Sequence, residues 1–279
     1  MMIDSHVHTG YSKHAAGSVD DVVNAALAAG VKVLTITDHA PFHIDSTNRL
    51  LDSELDRYFT DIHKAQTAYL GDIKILSGLE CDYMPGCAER AARLLARYDL
   101  DFVMASIHYI PTPEDGLIKV WDLPRLNRSV VLESYFSTLA ELLECGLFDA
   151  VGHADALLRG VPEEIVCHYM EPLLGAFARS KVAFELNASG LRKTVLDPNS
   201  GREERGRQSY PSRSLLPRLI GAGAAFTIGS DAHAPEDVGV GVQALIHALL
   251  PLGLNAISYF ENRRRVDIDA ASLLPPQAL

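Results

Sequence analysis

The stretch Met1-Met2-Ile3-Asp4-Ser5-His6-Val7-His8 combines a short apolar run with two histidines one residue apart. The apolar run predicts a short buried strand. Because side chains two positions apart in a strand point to the same face, His6 and His8 project together where the strand ends. Two converging imidazoles can bind one zinc, iron or manganese ion if the fold brings further ligands to it. An isolated pair equally suits a polar strand end, so the rest of the chain decides between these interpretations.

The same unit, an apolar strand that ends in polar residues and is followed by a helix, recurs along the chain. The later predicted strands and the polar residues after them are 31–37 before Asp38 and His39, 73–79 before Glu80, 102–107 before His108, 147–151 before His153, 181–186 before Asn187, and 224–228 before Asp231 and His233. Apolar spacing predicts the main helices at 18–30, 54–69, 89–98, 125–145 and 162–180.

This alternation predicts an α/β protein in which seven parallel strands are wrapped by helices. In a barrel of this kind the functional groups lie at the carboxyl ends of the strands, where the following loops converge. Two connections, 109–124 with Trp121 and 188–211 with several arginines, are longer than a tight barrel needs. We expect such long loops to grip a substrate.

Composition and charge limit the functions that the chain can have. The 279 residues are 48% hydrophobic and 22% charged, which is typical of one soluble globular domain. A formal net charge of -11 argues against a broad surface for nucleic acid, because binding of a polyanion requires many lysines and arginines. A small anionic substrate is compatible with this charge.

The cysteines and the most apolar segment predict a cytoplasmic protein. The four cysteines form no Cys-x-x-Cys motif, so we expect free thiols in a reducing compartment. The amino-terminal residues lack the pattern of a secretory signal. Residues 238–257 approach the length of a membrane span, but they include Gln243, His247, Pro251 and Asn255. They are better interpreted as a core helix with its following connection, and no membrane partner is expected.

The polar residues at the strand ends form a set rich in possible metal ligands. Seven of the 11 histidines belong to it. The set comprises His6, His8, His14, Asp38, His39, Glu80, His108, His153, Asp231 and His233. This is more than one metal ion uses, since a catalytic zinc takes about three protein ligands and a water. Two or three ions that share a carboxylate are suited to hydrolysis of phosphoesters, because metals about 3.5–4 Å apart can activate water and neutralise phosphoryl charge.

Six short motifs, in this order, resemble those of the polymerase and histidinol phosphatase (PHP) superfamily. They are Asp4-Ser5-His6-Val7-His8-Thr9, Thr37-Asp38-His39, Gly78-Leu79-Glu80, Ser106-Ile107-His108-Tyr109, Gly152-His153 and Gly229-Ser230-Asp231-Ala232-His233. The resemblance extends over residues 1–266 and is greatest to the histidinol-phosphate phosphatases of that superfamily. It implies a single domain, a distorted TIM-like (β/α)7 barrel of the PHP type, with residues 267–279 as a carboxyl-terminal tail.

The resemblance also implies three divalent metal ions, of zinc, iron or manganese. His6 and His8 would hold the first ion together with Glu80 and Asp231, and Glu80 would bridge to a second ion held by His108 and His153. The third would be held by His14, His39 and His233. The residues with catalytic roles would be Glu80, Asp231 and His233, around a hydroxide shared between metals.

For the substrate, the resemblance implies that Arg159 and Arg192 bind phosphate, as guanidinium groups do well. The imidazole end would be lined by Arg49, His43, Tyr109 and Tyr210. Surface or scaffold roles are equally open for these four residues.

The implied activity is hydrolysis of L-histidinol phosphate to L-histidinol and phosphate, a step of histidine biosynthesis. The alternative within the superfamily is a phosphoesterase acting on nucleotides, nucleic-acid ends or another small phosphomonoester. A metal-binding module without turnover is a third interpretation, which the complete ligand set disfavours. A barrel amidohydrolase is a weaker one, because the strand ends lack the lysine that often bridges metals there. The expected partner is a small phosphomonoester, and the sequence leaves the oligomeric state open.

Overall fold

A computed structural model of the chain describes residues 1–197, 200–205 and 210–275. The strands are β1 Met2–Val7, β2 Val31–Ile36, β3 Lys74–Asp82, β4 Phe102–Ser106, β5 Tyr109–Thr112, β6 Gly116–Lys119, β7 Ala150–Val151, β8 Ala183–Asn187, β9 Val195–Leu196, β10 Glu203–Glu204, β11 Phe226–Gly229, β12 Ala256–Glu261 and β13 Arg264–Asp269. The helices are α1 Val19–Ala29, α2 Leu55–Ala68, α3 Ala88–Leu95, α4 Ser129–Glu144, α5 Glu163–Met170, α6 Leu174–Ser180, α7 Leu216–Ala222 and α8 Val242–Leu249.

Seven strands form one parallel sheet in the order β1-β2-β3-β4-β7-β8-β11. The two outer strands of this order meet, since Val7 pairs with Ala232 just beyond β11. The Asp231 N–H also donates to the carbonyl of His6 at 2.8 Å, and the His8 N–H donates to the carbonyl of Ala232 at 2.9 Å. The sheet therefore curls into a nearly closed barrel, and the predicted seven-stranded fold is confirmed.

The first helix illustrates why the predicted helices form where they do. Ser18 accepts a hydrogen bond from the Asp21 N–H, while the Asp21 carboxylate accepts one from the Ser18 N–H, so each residue caps the other. Gly30 ends the helix with a φ of 81°, a conformation that glycine adopts without strain. The apolar face in between, which includes Val22 and Val23, is buried against the barrel core.

The helix predicted over 162–180 is divided in the structure. Helix α5 ends at Met170, a 3-10 turn covers Glu171–Leu173, and α6 begins at Leu174. Pro172 lies in the turn, where its missing N–H and its ring prevent a continuous α-helix. Apolar spacing alone does not register this break, because both parts bury residues against the same core.

The amino ends of the barrel strands are covered by the antiparallel hairpin β12–β13. Phe260 of this hairpin packs on Phe102 of β4, with ring centroids 5.2 Å apart, in a small apolar cluster that also includes Ala150 and Ala183. The boundary predicted at residue 266 falls inside the hairpin, whose second strand continues to Asp269. We therefore propose that the single domain extends to about Leu273, which is buried. Of the predicted tail, residues 276–279 lie outside the described part of the chain.

The opposite mouth of the barrel, at the carboxyl ends of the strands, carries the long connections. Strands β5 and β6 form a hairpin within the connection 109–124, and β9 pairs with β10 within the connection 188–211. Residues 198–199 and 206–209 of the second connection are outside the described part of the chain. Within that part, no helix has both the length and the apolar character needed to cross a membrane.

We predict that Gly229→Ala destabilises the protein by about 1–3 kcal/mol. A Cβ atom at Gly229 would lie 2.3 Å from the His6 Cβ and 2.9 Å from the His6 backbone nitrogen, so β1 would have to move away from β11. The free energy of unfolding in urea measures the effect. The control is Gly221→Ala on helix α7, where an added Cβ meets no atom within 4 Å and alanine favours the helix. Equal stability of the two variants would contradict this prediction.

Candidate metal centre

The predicted metal ligands come together at the carboxyl ends of the barrel strands. His6, His8 and Glu80 are fully buried, and His39, His108, His153 and Asp231 are also buried. His14 and His233 lie nearer the solvent, where the cluster opens. All nine predicted ligands thus belong to one continuous group of side chains. Contacts between neighbouring imidazole rings connect its histidines.

The first pair of nitrogen atoms in the cluster is Nε2 of His6 and Nε2 of His8, which lie 3.0 Å apart. The His6 Nδ1 lies 2.6 Å from Glu185 Oε1, and a carboxylate can only accept, so Nδ1 carries the proton. The His8 Nδ1 lies 3.2 Å from the Ser12 hydroxyl, whose own proton goes to Asp38 at 2.6 Å. The His8 Nδ1 is therefore also the donor. In neutral imidazoles this leaves two Nε2 lone pairs facing each other, an arrangement that a shared cation stabilises.

The second pair is Nε2 of His14 and Nε2 of His233, which also lie 3.0 Å apart. The His14 Nδ1 donates to the Ser12 carbonyl at 2.7 Å, and the His233 Nδ1 donates to the Asp231 carbonyl at 3.1 Å. Both Nε2 atoms are again left with lone pairs that point at one another. The same tautomer is thus set at opposite sides of the cluster by different acceptors.

Glu80 lies at the centre of the cluster, and neither of its oxygens accepts a hydrogen bond within the described chain. Its Oε2 is 3.5 Å from the His6 Nε2 and 3.6 Å from the His8 Nε2. Its Oε1 is 3.2 Å from the His153 Nε2 and 3.6 Å from the His108 Nε2. A buried carboxylate without hydrogen bonds is unfavourable unless it binds a cation. Its two oxygens face the two sets of imidazoles, as those of a ligand shared by two metal ions would.

Asp231 completes the first set of ligand atoms. Its Oδ1 is 3.5 Å from the His8 Nε2 and 3.8 Å from the His6 Nε2. With Glu80 Oε2, these atoms form a group of four, as the resemblance implied for the first ion. The Asp231 backbone has a φ of 53°, an unusual conformation for a residue with a side chain and one found most often at functional sites.

His39 lies between its implied third set and the centre of the cluster. Its Nδ1 lies 2.6 Å from Glu80 Oε2 without hydrogen-bond alignment. Ligand atoms of His39, Glu80 and His108 all lie within 4.8 Å of one another, and so do those of His8, His39 and His233. His39 is therefore within reach of the centre of the cluster as well as of His233.

The electrostatics of the cluster favour a bound cation. Burial, together with repulsion from His233 and His39, holds the pKa of His8 well below its usual value, and burial does the same for the pKa of His39. Neutral imidazoles are the form that binds metal. Burial opposes a proton on His6, but Glu185, Glu80 and Asp231 outweigh it and raise the pKa of His6 well above its usual value. The carboxylates that attract a proton to His6 equally attract a metal ion.

The donor atoms of the cluster suit the metals that the resemblance implies. The donor atoms are imidazole nitrogens and carboxylate oxygens, which zinc, iron and manganese all accept. The two Glu80 oxygens, which are buried without hydrogen bonds and face these nitrogens, are unfavourable unless they bind a cation. The site therefore fits divalent metal ions.

A pocket of about 430 Å³ opens from the cluster to the solvent. Besides the metal-binding side chains, its wall includes Asp45, Asn48, Arg49, Val120, Trp121, Ala156, Arg159, Lys193 and Tyr210. Three of the predicted substrate residues, Arg49, Arg159 and Tyr210, are thus on the wall.

The other three predicted substrate residues lie away from this wall in the structure. Arg192 donates to the carbonyls of Ser230 and Val240, so its guanidinium joins two loops. Tyr109 lies behind the wall, with its hydroxyl on Asp45, and His43 is exposed beside Phe42. The prediction that Arg192 faces the phosphate is not supported by this placement, because the next residue, Lys193, is the one that reaches the pocket.

Several side chains at the site were not assigned a role from the sequence. Glu185 accepts from His6 and also from the His153 N–H at 2.7 Å, and it is fully buried. Asp82 accepts from the His108 Nδ1 at 2.8 Å. A signal existed for both, since Glu185 interrupts an apolar strand and Asp82 lies two residues after Glu80, on the same side of β3. Lys193 and Trp121 lie in loops, where no periodic pattern indicates direction.

Comparisons with known proteins give a matching family model and named relatives. The PHP domain model matches residues 4–189. A probable histidinol-phosphatase of Deinococcus radiodurans is 28% identical over 261 residues, which cover 92% of this chain and 96% of that protein. The histidinol-phosphatase of Bacillus subtilis is 23% identical over 271 residues, which cover 87% and 97%.

The fold is also found in a solved structure. The crystal structure of histidinol phosphate phosphatase from Lactococcus lactis, complexed with zinc, L-histidinol and phosphate, matches with a TM-score of 0.77 and 21% identity, over 95% of this chain and 98% of that chain. At this identity the match establishes the fold of a PHP-type barrel. Because the family model matches more than half of the chain, we conclude that this protein belongs to the PHP domain family.

Proposed function

We propose that the protein is a metal-dependent phosphomonoesterase that hydrolyses L-histidinol phosphate to L-histidinol and phosphate. The observation that carries this proposal is the group of facing imidazole nitrogens and buried Glu80 oxygens without hydrogen bonds, which opens into a pocket with cationic side chains. The relatives named histidinol-phosphatase, which match the chain over most of its length, favour this substrate over other phosphomonoesters.

The proposed metal complement is three divalent ions, with zinc, iron and manganese all compatible with the donors. The first ion would be held by His6, His8, Glu80 and Asp231, the second by Glu80, His108 and His153, and the third by His14, His233 and His39. Bound divalent ions lower the pKa of water and offset charge on a phosphoryl group. Glu80 and Asp231 would supply the negative charge that holds the ions, and His233 would close the set next to the pocket.

The phosphate end of the substrate would lie between the cluster and two cationic side chains. The Arg159 Nε donates to the Thr194 carbonyl at 2.8 Å, which fixes the side chain and leaves its terminal nitrogens for a ligand on the pocket wall. The Lys193 Nζ lies 3.8 Å from Asp231 Oδ2, next to the cluster. We therefore assign Arg159 and Lys193 to the phosphate, whereas Arg192 would hold the loop that carries Lys193.

Two further parts of the proposal concern the setting of the reaction. The acidic net charge of -11 supports a small substrate rather than a nucleic acid. A reducing, cytoplasmic location is in keeping with the four free cysteines.

The proposed function predicts metal-dependent release of phosphate from L-histidinol phosphate, and it predicts that Glu80→Gln lowers kcat by roughly 10²- to 10³-fold. The amide removes the shared negative charge while keeping the shape of the side chain. Phosphate release is measured after loading with zinc, iron or manganese, together with metal content by elemental analysis. The control is His63→Gln, an exposed histidine on helix α2 that should leave activity unchanged.

Loaded protein that leaves L-histidinol phosphate intact while hydrolysing another phosphomonoester would contradict the substrate. Metal bound stoichiometrically without hydrolysis of any phosphoester would contradict the activity itself. Cleavage of a single-stranded oligonucleotide as fast as the small substrate would favour the nucleic-acid alternative.

A second prediction concerns Glu185, which holds the protonated Nδ1 of His6 and the backbone N–H of His153. Glu185→Gln should weaken metal affinity by about 10- to 100-fold, because the amide removes a charge that increases the basicity of His6. Competition with a chelator measures the affinity. A matched control is Glu164→Gln, which changes an exposed carboxylate on helix α5. Unchanged affinity in Glu185→Gln would show that this carboxylate serves only the fold.

A further inference from the structure

One carboxylate on the pocket wall is not part of the metal cluster. The pocket is lined by three carboxylates among the described residues, and two of them, Glu80 and Asp231, lie among the imidazoles. The third, Asp45, lies in the loop after β2 and contacts Tyr109, Thr47 and Asn48 instead. The metal site and the phosphate contacts leave this carboxylate without a role.

Asp45 is held in one orientation by its neighbours. Its Oδ2 accepts from the Tyr109 hydroxyl, and its Oδ1 accepts from Asn48 Nδ2 at 2.8 Å and from Thr47 Oγ1 at 3.1 Å. A carboxylate has about four acceptor positions, so one remains for a ligand. Burial opposes the charge of Asp45, but the hydrogen bonds from Tyr109 and Asn48 hold its pKa below the usual value. Asp45 is therefore an ionised, oriented acceptor.

The charge of Asp45 is not cancelled by the arginine beside it. Arg49 donates through Nε and Nη2 to the two oxygens of Asp82, at 2.6 and 3.1 Å. Its Nη1 is 3.8 Å from Asp45 Oδ2, beyond hydrogen-bond distance. Two carboxylates thus share one guanidinium, which leaves one negative charge among these three side chains.

Trp121 lies on the same wall as Asp45. Its indole is 42% exposed, although large aromatic side chains are usually buried. The ring lies edge-on to Tyr109, with centroids 5.8 Å apart, and 6.1 Å from the His108 ring. Tyr109 therefore contacts both Asp45 and Trp121 and places the carboxylate near the aromatic ring. The Lys119 Nζ lies 5.5 Å from the indole centroid, so an ammonium of the chain itself already contacts this ring. The part of the indole that stays exposed beside Asp45 is suited to a planar or cationic group.

The pocket wall has opposite charge on its two sides. Asp45 follows β2, and Trp121 follows β6 in the connection from β4 to β7, whereas Arg159 follows β7 and Lys193 follows β8. The strand order β1-β2-β3-β4-β7-β8-β11 places Asp45 away from Arg159 and Lys193, with Trp121 between them. A ligand with phosphate on the cationic side would present its other end to Asp45 and Trp121.

We propose that Asp45 and Trp121 form a subsite for the cationic end of the phosphomonoester substrate, an ammonium or imidazolium group. This inference rests on the proposed phosphatase function. It identifies the substrate class as phosphate esters of cationic alcohols, with selection against neutral alcohols because they would leave Asp45 without a partner charge.

The test compares two phosphate esters. The alcohol part of L-histidinol phosphate is cationic, and that of p-nitrophenyl phosphate is aromatic and uncharged. Asp45→Asn should lower kcat/KM for L-histidinol phosphate by roughly 10- to 100-fold, mainly through KM, and leave that for p-nitrophenyl phosphate within about twofold. Trp121→Ala should raise KM for both substrates, since both present a ring. The matched control is Asp122→Asn, which removes a more exposed carboxylate next to Trp121 that pairs with Arg125 and should leave both substrates unchanged.

An equal loss for both substrates in Asp45→Asn, or no loss for either, would overturn the subsite. Failure of the proposed function is recognised separately, because the wild-type protein would then leave L-histidinol phosphate intact while cleaving p-nitrophenyl phosphate. In that case O-phosphoethanolamine and glycerol 1-phosphate serve as the cationic and neutral pair. A preference for O-phosphoethanolamine that Asp45→Asn abolishes supports the subsite, and the absence of any preference overturns it.

Discussion

The rest of the site depends on pairs of imidazole nitrogens that face each other with lone pairs. His6 and His8, and likewise His14 and His233, bring Nε2 atoms to 3.0 Å while each Nδ1 donates to an oxygen. A cation bound between these nitrogens stabilises the arrangement, and the carboxylates of Glu80 and Asp231 supply the compensating charge.

The barrel positions the imidazole pairs at strand ends whose backbone hydrogen bonds are made with the neighbouring strands. His6 lies in a strand that pairs with β2 and meets the segment after β11, so its position follows from the closure of the sheet. The hairpin β12–β13 covers the amino ends of the strands with Phe260, which leaves the carboxyl ends as the open mouth. The contact between Gly229 of β11 and His6 of β1 therefore serves both the fold and the site, because it joins the outer strands and positions a metal-binding histidine.

The parts of the site that follow from the strand period can be predicted from the sequence, whereas the direction of side chains in loops cannot. The strand ends carrying His6, Glu80 and Asp231 can be recognised because apolar runs stop there. Nothing in the sequence distinguishes Arg192 from Lys193, since consecutive loop residues point apart in ways that only their contacts decide. Pro172 divided a helix that apolar spacing had continued, and Glu185 was read as part of an apolar strand although its carboxylate holds two ligand residues.

Anomalous diffraction from crystals of the metal-loaded protein, recorded at the absorption edge of the bound metal, locates the ions directly. We expect metal density bounded by Nε2 of His6 and His8 and by Glu80 and Asp231, with further density at the Nε2 atoms of His14 and His233. Loaded crystals in which both histidine pairs stay in direct contact, with metal bound only elsewhere, would contradict this expectation.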